Sequence, residues 1–434
     1  MYKIGFYTLG CKVSLYETEA IAEAFEKEGF EISDFDSVCD AYVINTCTVT
    51  AESDAKSRKY IRRAVRRNPE AVVAIVGCYS QRAPEAVASI DGVSVVLGTA
   101  DKLSVVKRVK ELLDSGERRV SLDVSDLSGA SFEPMKIERA PRTRAYVKIE
   151  DGCECRCTYC AISAARGPVR SKPRCDVISE VEALSKSGVK EVVLTGIETG
   201  SYGADFKENY GLAELLFELD ERGSCERVRL GSMAPELVGE SFIKKIAPLK
   251  IMTPHLHLSV QSASSSVLKR MKRRYNADML YRNIEVIKQN IRGVQLTADL
   301  MVGFPGESEE DFLETVELVR RAELLDAHVF AYSVREGTPA AEYDGQIPES
   351  VKQERSRRLI EVKNQVRESV LEQVVQTGEP LSVIFETKEG DSYIGHSDSY
   401  IEVMCHSERD VRGELLSVMP TGHENGVLYG KIMN

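Results

Sequence analysis

The chain has 434 residues, of which 43% are hydrophobic, and a formal net charge of −11. This length allows two or three domains, and the acidic balance argues against a broadly basic nucleic-acid coat. No apolar run reaches the roughly 18 residues of a membrane span, and the first residues lack the features of a signal peptide. We therefore expect a cytoplasmic protein, in which clustered cysteines are metal ligands or redox groups more often than disulfides.

The first part of the chain alternates apolar strands with amphipathic helices. Buried strands are predicted for the segments KIGFYTLG, AYVINTCT, AVVAIVGCYS and VSVVLGT, and a helix for YETEAIAEAFEKEGF. This alternation predicts a doubly wound parallel sheet with helices on its faces, in a domain of residues 1–125. Residues 115–143 are rich in Ser, Pro and charge, and are predicted to form a linker.

A second α/β series is predicted in a domain of residues 140–370. Six strands, each followed by a helical stretch, are expected at 144–151, 191–197, 227–233, 255–260, 295–304 and 327–334. A complete eight-unit barrel needs about 250 residues, so this shorter block predicts a partial (β/α)6 barrel. His255 and His257 alternate with apolar residues on the fourth strand, so we expect at most one inward face and assign neither as a metal ligand.

In the last part of the chain, the spacing of apolar residues changes from that of alternating strands and helices to that of short strands. A long charged helix is predicted at roughly 350–375, and five short alternating strands follow in a domain of residues 374–434. These strands predict a small antiparallel β-barrel, of a type that binds oligonucleotides. The segment carries four Lys or Arg residues against ten Asp or Glu residues, which is a poor charge balance for binding RNA.

Four cysteines lie within the stretch DGCECRCTYC, residues 151–160. Cys153, Cys157 and Cys160 have the spacing C-x3-C-x2-C, directly after the first predicted barrel strand. A loop at this strand end is where β/α barrels build their active sites, and three thiolates can hold an iron–sulfur cube with one iron open. If Cys155 is a fourth ligand, a structural zinc site is the alternative, whereas a disulfide does not suit a reducing compartment.

Three further cysteines, Cys11, Cys47 and Cys78, each follow one of the N-terminal strands. The carboxyl ends of parallel strands share one edge of a sheet, so these residues become neighbours in space. The alternative is three buried small side chains, because free cysteine packs well in cores. Their equivalent positions favour a second three-thiolate cluster, again with an open iron.

Seven ordered motifs run through nearly the whole chain: LGCKVSLYETE, INTCTVT, VGCYSQ, DGCECRCTYC, LTGIETGSYG, HLHLSVQSAS and DLMVGFPGE. Together they resemble the radical S-adenosylmethionine methylthiotransferases. LGCKV followed by YETE is similar to the branch that acts on N6-threonylcarbamoyladenosine, next to the anticodon of tRNA on its 3′ side. The resemblance also implies that the C-terminal barrel is TRAM-like.

The resemblance implies two 4Fe-4S clusters and S-adenosyl-L-methionine as cofactors. One S-adenosylmethionine would methylate a sulfur on the auxiliary cluster, and a second would supply the radical that activates C2 of the adenine. The expected ligands are Cys153, Cys157 and Cys160 for the radical cluster and Cys11, Cys47 and Cys78 for the auxiliary cluster. The residues expected to bind S-adenosylmethionine are Thr195, Gly196, Glu198, Gln261, Ser262, Gly303 and Gly306.

The implied partners are the anticodon stem-loop of tRNA and an electron donor such as a flavodoxin or ferredoxin, with no membrane. The candidate phosphate contacts are Arg62, Arg63, Arg66, Arg67, Arg273 and Arg274. For the acidic C-terminal barrel, three alternatives remain: its basic residues cluster on one face, aromatic residues such as Tyr393 and Tyr400 contact bases, or the barrel contacts other parts of the protein.

Two alternative functions remain open from the sequence. The first is a methylthiotransferase with another substrate, either isopentenyladenosine in tRNA or an aspartate of a ribosomal protein. The second is a non-enzymatic RNA-binding protein that holds zinc.

Overall fold

A computed structural model describes residues 1–140 and 142–433 of the chain. In this part of the chain, no helix is both long enough and apolar enough to cross a bilayer. Three β-structures follow one another: a parallel N-terminal sheet, an open six-stranded barrel and a closed five-stranded barrel.

The N-terminal sheet has the strand order β2-β1-β3-β4-β5-β6, and all its pairings are parallel. Its elements are β1 (Lys3–Thr8), α1 (Lys12–Lys27), β2 (Glu31–Ser33), β3 (Ala41–Thr46), α2 (Ala51–Arg67), β4 (Val72–Gly77), α3 (Cys78–Arg82), α4 (Pro84–Ala88), β5 (Val93–Leu97), α5 (Ser104–Ser115) and β6 (Ser121–Asp123). β3 and β4 are buried along their whole length because helices pack on both faces, which explains their uninterrupted apolar sequences. The predicted parallel α/β sheet is confirmed.

The prediction of a linker at 115–143 is wrong for residues 121–123, which form β6 and pair with β5. Beyond this strand, Met135 and Ile137 are buried, and Glu133 accepts a hydrogen bond from the Leu103 amide at 2.8 Å. The polar composition is typical of a loop, but a few apolar side chains are enough to fasten the segment to the core.

The central barrel has six parallel strands in sequential order, in two halves of three. Its elements are β7 (Arg144–Lys148), β8 (Glu150–Asp151), α6 (Ile162–Arg166), β9 (Arg170–Ser171), α7 (Arg174–Lys186), β10 (Glu191–Thr195), α8 (Leu212–Arg222), β11 (Arg227–Leu230), α9 (Glu240–Ile246), β12 (His255–Gln261), α10 (Ser265–Arg270), α11 (Ala277–Asn290), β13 (Gln295–Val302), α12 (Glu309–Arg321) and β14 (Asp326–Ala331). A parallel bridge between Met233 and Leu258 helps to join the halves. Within the described residues no pairing joins β7 to β14, so the barrel is open there, as predicted.

The C-terminal barrel follows the 29-residue helix α13 (Glu349–Thr377). Its strands are β15 (Leu381–Glu389), β16 (Ser392–Ser397), β17 (Glu402–His406), β18 (Leu415–Glu424) and β19 (Val427–Ile432). They close in the order β15-β16-β17-β19-β18. The small, mostly antiparallel barrel agrees with the prediction, but β17 and β19 are parallel because β19, not β18, lies beside β17.

The C-terminal barrel covers the amino-terminal end of the open barrel. Arg144, at the start of β7, donates two hydrogen bonds to the Glu386 carboxylate, at 2.9 and 3.2 Å. The Tyr400 ring stacks on the His255 ring, with the centroids 4.6 Å apart. Tyr393 is buried in the core of the small barrel. The predicted base contacts by these two tyrosines are therefore wrong, and the predicted contact with other parts of the protein is confirmed.

A buried ion network fastens the N-terminal sheet to the open barrel. Glu17 Oε1, on α1, accepts hydrogen bonds from Lys102 Nζ at 2.8 Å, Lys148 Nζ at 2.8 Å and Arg166 Nη1 at 2.6 Å. Asp151 pairs with Lys148 at 2.8 Å and with Arg166 at 3.2 Å. Although burial opposes ionisation of Glu17, these cations hold its pKa well below the usual value.

Replacing Glu17 with Gln should lower the free energy of unfolding by about 3–5 kcal/mol, because three buried cations lose the carboxylate that they share. Chemical denaturation measures this change. The control, Glu28→Gln on the same helix, removes an exposed ion pair with Lys110 and should change stability little. Equal effects of the two substitutions would contradict the role given to the network.

Candidate functional site

Three cysteines meet at the carboxyl edge of the N-terminal sheet, and Cys11, Cys47 and Cys78 are named here the N-terminal trio. Cys47 and Cys78 directly follow β3 and β4, and Cys11 lies three residues beyond β1 as the N-cap of α1. The three strands are adjacent in the sheet. Burial raises the pKa values of the Cys47 and Cys78 thiols, and the nearby Cys11 raises both values further. The three thiols are therefore near enough to interact.

Burial is the larger cause of these shifts and raises the pKa of Cys78 to about 11. Gly77 makes the turn that presents this thiol, with φ +105°, and a Cβ there would lie 2.5 Å from the Asn45 side chain. Without a metal, thiols in such surroundings would stay protonated at neutral pH, whereas a bound metal deprotonates its cysteine ligands.

Arg166 links the N-terminal trio to the buried ion network. Its Nε donates to Cys78 Sγ at 3.1 Å, while its Nη1 donates to Glu17. In this network four cations, Lys102, Lys148, Arg166 and Arg170, face the two carboxylates of Glu17 and Asp151, so positive charges are in excess. A thiolate at Cys78, the form in which cysteine binds a metal, supplies one further negative charge. The residues present therefore fit a metal cluster at this trio.

The second group, Cys153, Cys157 and Cys160, is named here the loop trio and lies between β8 and α6. Gly152 precedes it with φ +93°, and a Cβ at this position would lie 1.9 Å from the Pro168 carbonyl oxygen. Only glycine therefore allows the turn into this loop. The loop follows the first strand of the open barrel at its carboxyl end, where β/α barrels place their active sites.

Hydrogen-bond donors surround the sulfurs of the loop trio. The Ile162 amide donates to Cys160 Sγ at 3.4 Å, and Arg273 Nη1 donates to Cys157 Sγ at 3.5 Å. Arg273 Nη2 also donates to the Ser259 carbonyl at 2.7 Å. The structure thus places Arg273 against the cysteine loop, and its predicted contact with a phosphate stays a prediction.

A single zinc ion needs closer ligands than either trio offers. Ligands about 2.3 Å from one zinc ion lie within about 4 Å of one another. We compared this spacing with every group of at least three His, Cys, Asp or Glu residues in 1–140 and 142–433. Only His257, Asp299 and His328 have ligand atoms that all lie within 4.8 Å of one another, so neither cysteine trio is that compact. In a 4Fe-4S cluster each thiolate binds a different iron, so the ligands can lie farther apart than around one zinc ion. The wider spacing of the cysteines therefore favours an iron–sulfur cluster over zinc, whether or not Cys155 is a ligand.

The two trios lie along one interface. Arg335, in the loop after β14, donates to Thr48 Oγ1 at 2.8 Å and pairs with Asp54 at 2.6 Å. Thr99, after β5, donates to the Ala165 carbonyl at 2.7 Å. These contacts join loops at the carboxyl ends of both parallel sheets, so the catalytic edges face each other.

The segment predicted to bind the amino group of S-adenosylmethionine carries buried carboxylates. Thr195 ends β10 and is buried, and a Cβ at Gly196 would lie 2.4 Å from Glu150 Oε2. Glu198 accepts a hydrogen bond from the Ala234 amide at 2.9 Å, and burial raises its pKa to about 8. Glu150 Oε1 is buried and has no hydrogen-bond partner among the described residues. An unpartnered acceptor suits the ammonium group of a ligand.

Gln261 and Ser262 end β12 but differ in their surroundings. Gln261 has φ +66°, at an irregularity in the pairing with β13, and its side chain is half-buried. The Ser262 hydroxyl is buried, lies 3.3 Å from Thr315 Oγ1 and accepts from the Ser264 amide at 3.1 Å. Gln261 is therefore the more accessible of the two to a ligand.

The predicted cofactor turn with Gly303 and Gly306 is held by the long helix α13. A Cβ at Gly303 would lie 2.4 Å from Lys352 Cγ, and its amide donates to Glu307 Oε2 at 2.7 Å. Glu307 is buried and pairs with Arg355 of α13 at 2.7 Å. These contacts give the turn a structural role, and its contact with a cofactor stays a prediction.

Of the arginines predicted to contact phosphate on α2, Arg63 and Arg67 pair with Asp36. Arg62 and Arg66 are exposed on the same helix. The exposed pair is the part of this patch that is available to a nucleic acid.

The sequence analysis singled out His255 and His257 but missed the polar partners that they meet inside the open barrel. His255 and His257 are both buried and both bond to Thr297 Oγ1, at 2.9 and 2.8 Å. They share one inward face because residues two apart in a strand lie on the same side. Asp299 lies 3.2 Å from His257 Nε2 and 3.1 Å from His328 Nδ1. Polar residues recur at alternate positions of β12, β13 and β14, and this alternation is the sequence signal that could have revealed the group.

Two family models match separate parts of the chain. Residues 3–98 match the family described as "Uncharacterized protein family UPF0004", and residues 147–319 match the Radical SAM superfamily. The first match contains the N-terminal trio, and the second contains the loop trio.

A curated relative, the threonylcarbamoyladenosine tRNA methylthiotransferase MtaB of Bacillus subtilis (strain 168), is 40% identical over 424 residues, which cover 96% of this chain and 93% of the relative. The tRNA-2-methylthio-N(6)-dimethylallyladenosine synthase of Carboxydothermus hydrogenoformans is 33% identical, with coverage of 97% and 98%. The solved structure of the radical S-adenosylmethionine methyltransferase TsrM from Kitasatospora setae shares the fold, with a TM-score of 0.57, 15% identity and coverage of 90% and 78%. The chain therefore belongs to the radical S-adenosylmethionine methylthiotransferase family, in its MtaB-type branch.

Proposed function

We propose that this protein transfers a methylthio group to C2 of N6-threonylcarbamoyladenosine, 3′-adjacent to the anticodon in tRNA. The observation that carries the proposal is the meeting of two cysteine trios along one interface, joined through Arg166 and the buried ion network. The relatives support this substrate, because the 40% identity to a threonylcarbamoyladenosine enzyme exceeds the 33% identity to a dimethylallyladenosine enzyme.

Each trio would hold one 4Fe-4S cluster, and bound clusters with S-adenosyl-L-methionine supply the electron, the radical and the sulfur of the reaction. The chain's own residues prepare these sites. Arg166 donates a hydrogen bond to Cys78 and favours its thiolate form, and Arg273 donates a hydrogen bond to Cys157 Sγ.

S-adenosylmethionine would lie beside the loop trio, with its ammonium group near Glu150 and Glu198. Glu150 offers an unpartnered oxygen, and Thr195 and Gly196 form the backbone next to it. Gln261 would contact the same ligand from the end of β12. These carboxylates are buried, so a cationic ligand offsets the cost of ionising them.

The partners proposed are the anticodon stem-loop of tRNA and a one-electron donor such as a flavodoxin or ferredoxin, all in the cytoplasm. Chemistry at C2 needs an adenine that is out of the base stack, so the interface between the trios would receive an extruded base. We assign residues 1–125, 140–370 and 374–434 to three domains, with the substrate base between the first two.

Expression of the protein in a bacterial host that lacks this modification should produce 2-methylthio-N6-threonylcarbamoyladenosine. Mass spectrometry of nucleosides from digested tRNA detects it. Cys47→Ala, which removes one cluster ligand, is the matched negative control. A methylthio group on dimethylallyladenosine, or on neither nucleoside, would refute the proposed substrate.

The two trios should have separable roles. Anaerobic reconstitution should give about eight irons per chain for the wild type and about four for Cys47→Ala and for Cys157→Ala, as two cubes require. Cleavage of S-adenosylmethionine to 5′-deoxyadenosine should survive in Cys47→Ala and disappear in Cys157→Ala. The control Cys175→Ala changes an exposed thiol outside both trios and should behave like the wild type. Loss of cleavage in both trio variants would disprove this division of labour.

A further inference from the structure

Two imidazoles and one carboxylate meet on three adjacent strands of the open barrel, and His257 of β12, Asp299 of β13 and His328 of β14 are named here the His–Asp–His group. Asp299 is paired in register with His328, and Thr297 is paired with His257. Thr297 and Asp299 are two positions apart, so their side chains lie on the same side of β13. The three strands therefore direct the whole group to one face of the sheet.

The spacing of the group matches that of ligands around one metal ion. Asp299 Oδ2 lies 3.2 Å from His257 Nε2, and its Oδ1 lies 3.1 Å from His328 Nδ1. One nitrogen or oxygen atom from each residue can be chosen so that all three lie within 4.8 Å of one another. Nitrogen and oxygen ligands about 2.0–2.1 Å from a tetrahedral zinc ion are about 3.3–3.4 Å apart. Both measured distances are close to this value.

Thr297 fixes the orientation of the His257 ring. Its Oγ1 lies 2.8 Å from His257 Nδ1, and the ring thereby turns Nε2 toward Asp299. Histidines that bind metals usually form a hydrogen bond through their second ring nitrogen, because this bond sets the tautomer and the direction of the ring. The His257 ring therefore has the supported orientation of a metal ligand.

The space beside the group suits an ion with bound water. A cavity of about 50 Å³, lined by His257 and His328 among others, adjoins it. This volume holds a few water molecules, whereas pockets for small organic ligands measure about 300 Å³ or more. The His257 and Asp299 side chains are 10% and 22% exposed, and that of His328 is 63% exposed. An ion can therefore enter from the side of His328 and keep water in its remaining coordination positions.

The group is separate from both cysteine trios in position and in chemistry. Its three members lie within strands, whereas the trios lie beyond the carboxyl ends of strands. Thiolates select iron–sulfur clusters, but two imidazoles with one carboxylate are typical ligands of a single zinc or ferrous ion. The group therefore does not compete with the trios for the same metal centre.

We propose that His257, Asp299 and His328 bind one divalent transition metal ion at a site of their own. The ion would tie β14, the last strand on the open side of the barrel, to β12 and β13. This inference goes beyond the proposed function and does not depend on it, because the ligands belong to neither trio.

The test uses Zn²⁺ as the probe and the reconstituted holoenzyme, in which iron occupies the cluster cysteines. After anaerobic incubation with Zn²⁺ and desalting, elemental analysis should find about one zinc per chain and an unchanged iron content. X-ray absorption at the zinc edge should show nitrogen and oxygen ligands at about 2.0–2.1 Å and no sulfur at about 2.3 Å. The iron content, measured on the same sample, reports separately on the two proposed clusters.

His328→Gln removes the most exposed ligand, so the fold should persist, as circular dichroism can verify, while the bound zinc falls to near zero. The matched control is His423→Gln, because His423 also contacts two carboxylates, Glu368 and Glu372, but belongs to no pair of imidazoles on one carboxylate. This control should keep one zinc per chain. A wild type without zinc, sulfur around the bound zinc, or equal zinc contents in His328→Gln and the wild type would each overturn the proposal.

Discussion

The arrangement of the whole molecule depends on the buried ion network around Glu17 and Arg166. Its members include Glu17 of α1, Lys102 just before α5, Lys148 of β7 and Arg166 of the helix after the cysteine loop, so it joins the N-terminal sheet to the open barrel. Burying six charged side chains is costly unless each finds a partner, and here the partners come from both parts. The network therefore favours the orientation in which the cysteines of the N-terminal sheet face the barrel.

The same network couples the fold to the chemistry. It holds excess positive charge beside Cys78, and a thiolate at this cysteine offsets part of that charge. Arg273 contacts Cys157 in the corresponding way on the barrel side. Each trio thus has one guanidinium that donates to a cysteine sulfur, and the loops that carry the trios touch through Arg335 and Thr99.

Much of the fold follows from local patterns in the sequence. Continuous apolar runs predicted β3 and β4, and the equivalent positions of Cys47 and Cys78 after these strands predicted the shared edge. The linker prediction failed at β6 because three residues at the edge of a sheet carry almost no periodic signal. The predicted base contact of Tyr393 was wrong because its side chain is buried in the small barrel. That burial depends on how the five strands close, which composition and charge do not show.

The polar interior was the hardest part to predict. Glu17 and Lys148 are 131 positions apart, and nothing local marks either as part of a buried network. Such residues are recognised by their missing or long-range partners, which require the tertiary structure.

Anomalous diffraction at the iron absorption edge, from crystals of the anaerobically reconstituted protein, tests the central claim most directly. The account predicts two iron clusters, one on Cys11, Cys47 and Cys78 and one on Cys153, Cys157 and Cys160, with their open corners toward one cavity. Iron at a single trio, zinc at either trio, or open corners that face different surfaces would contradict it.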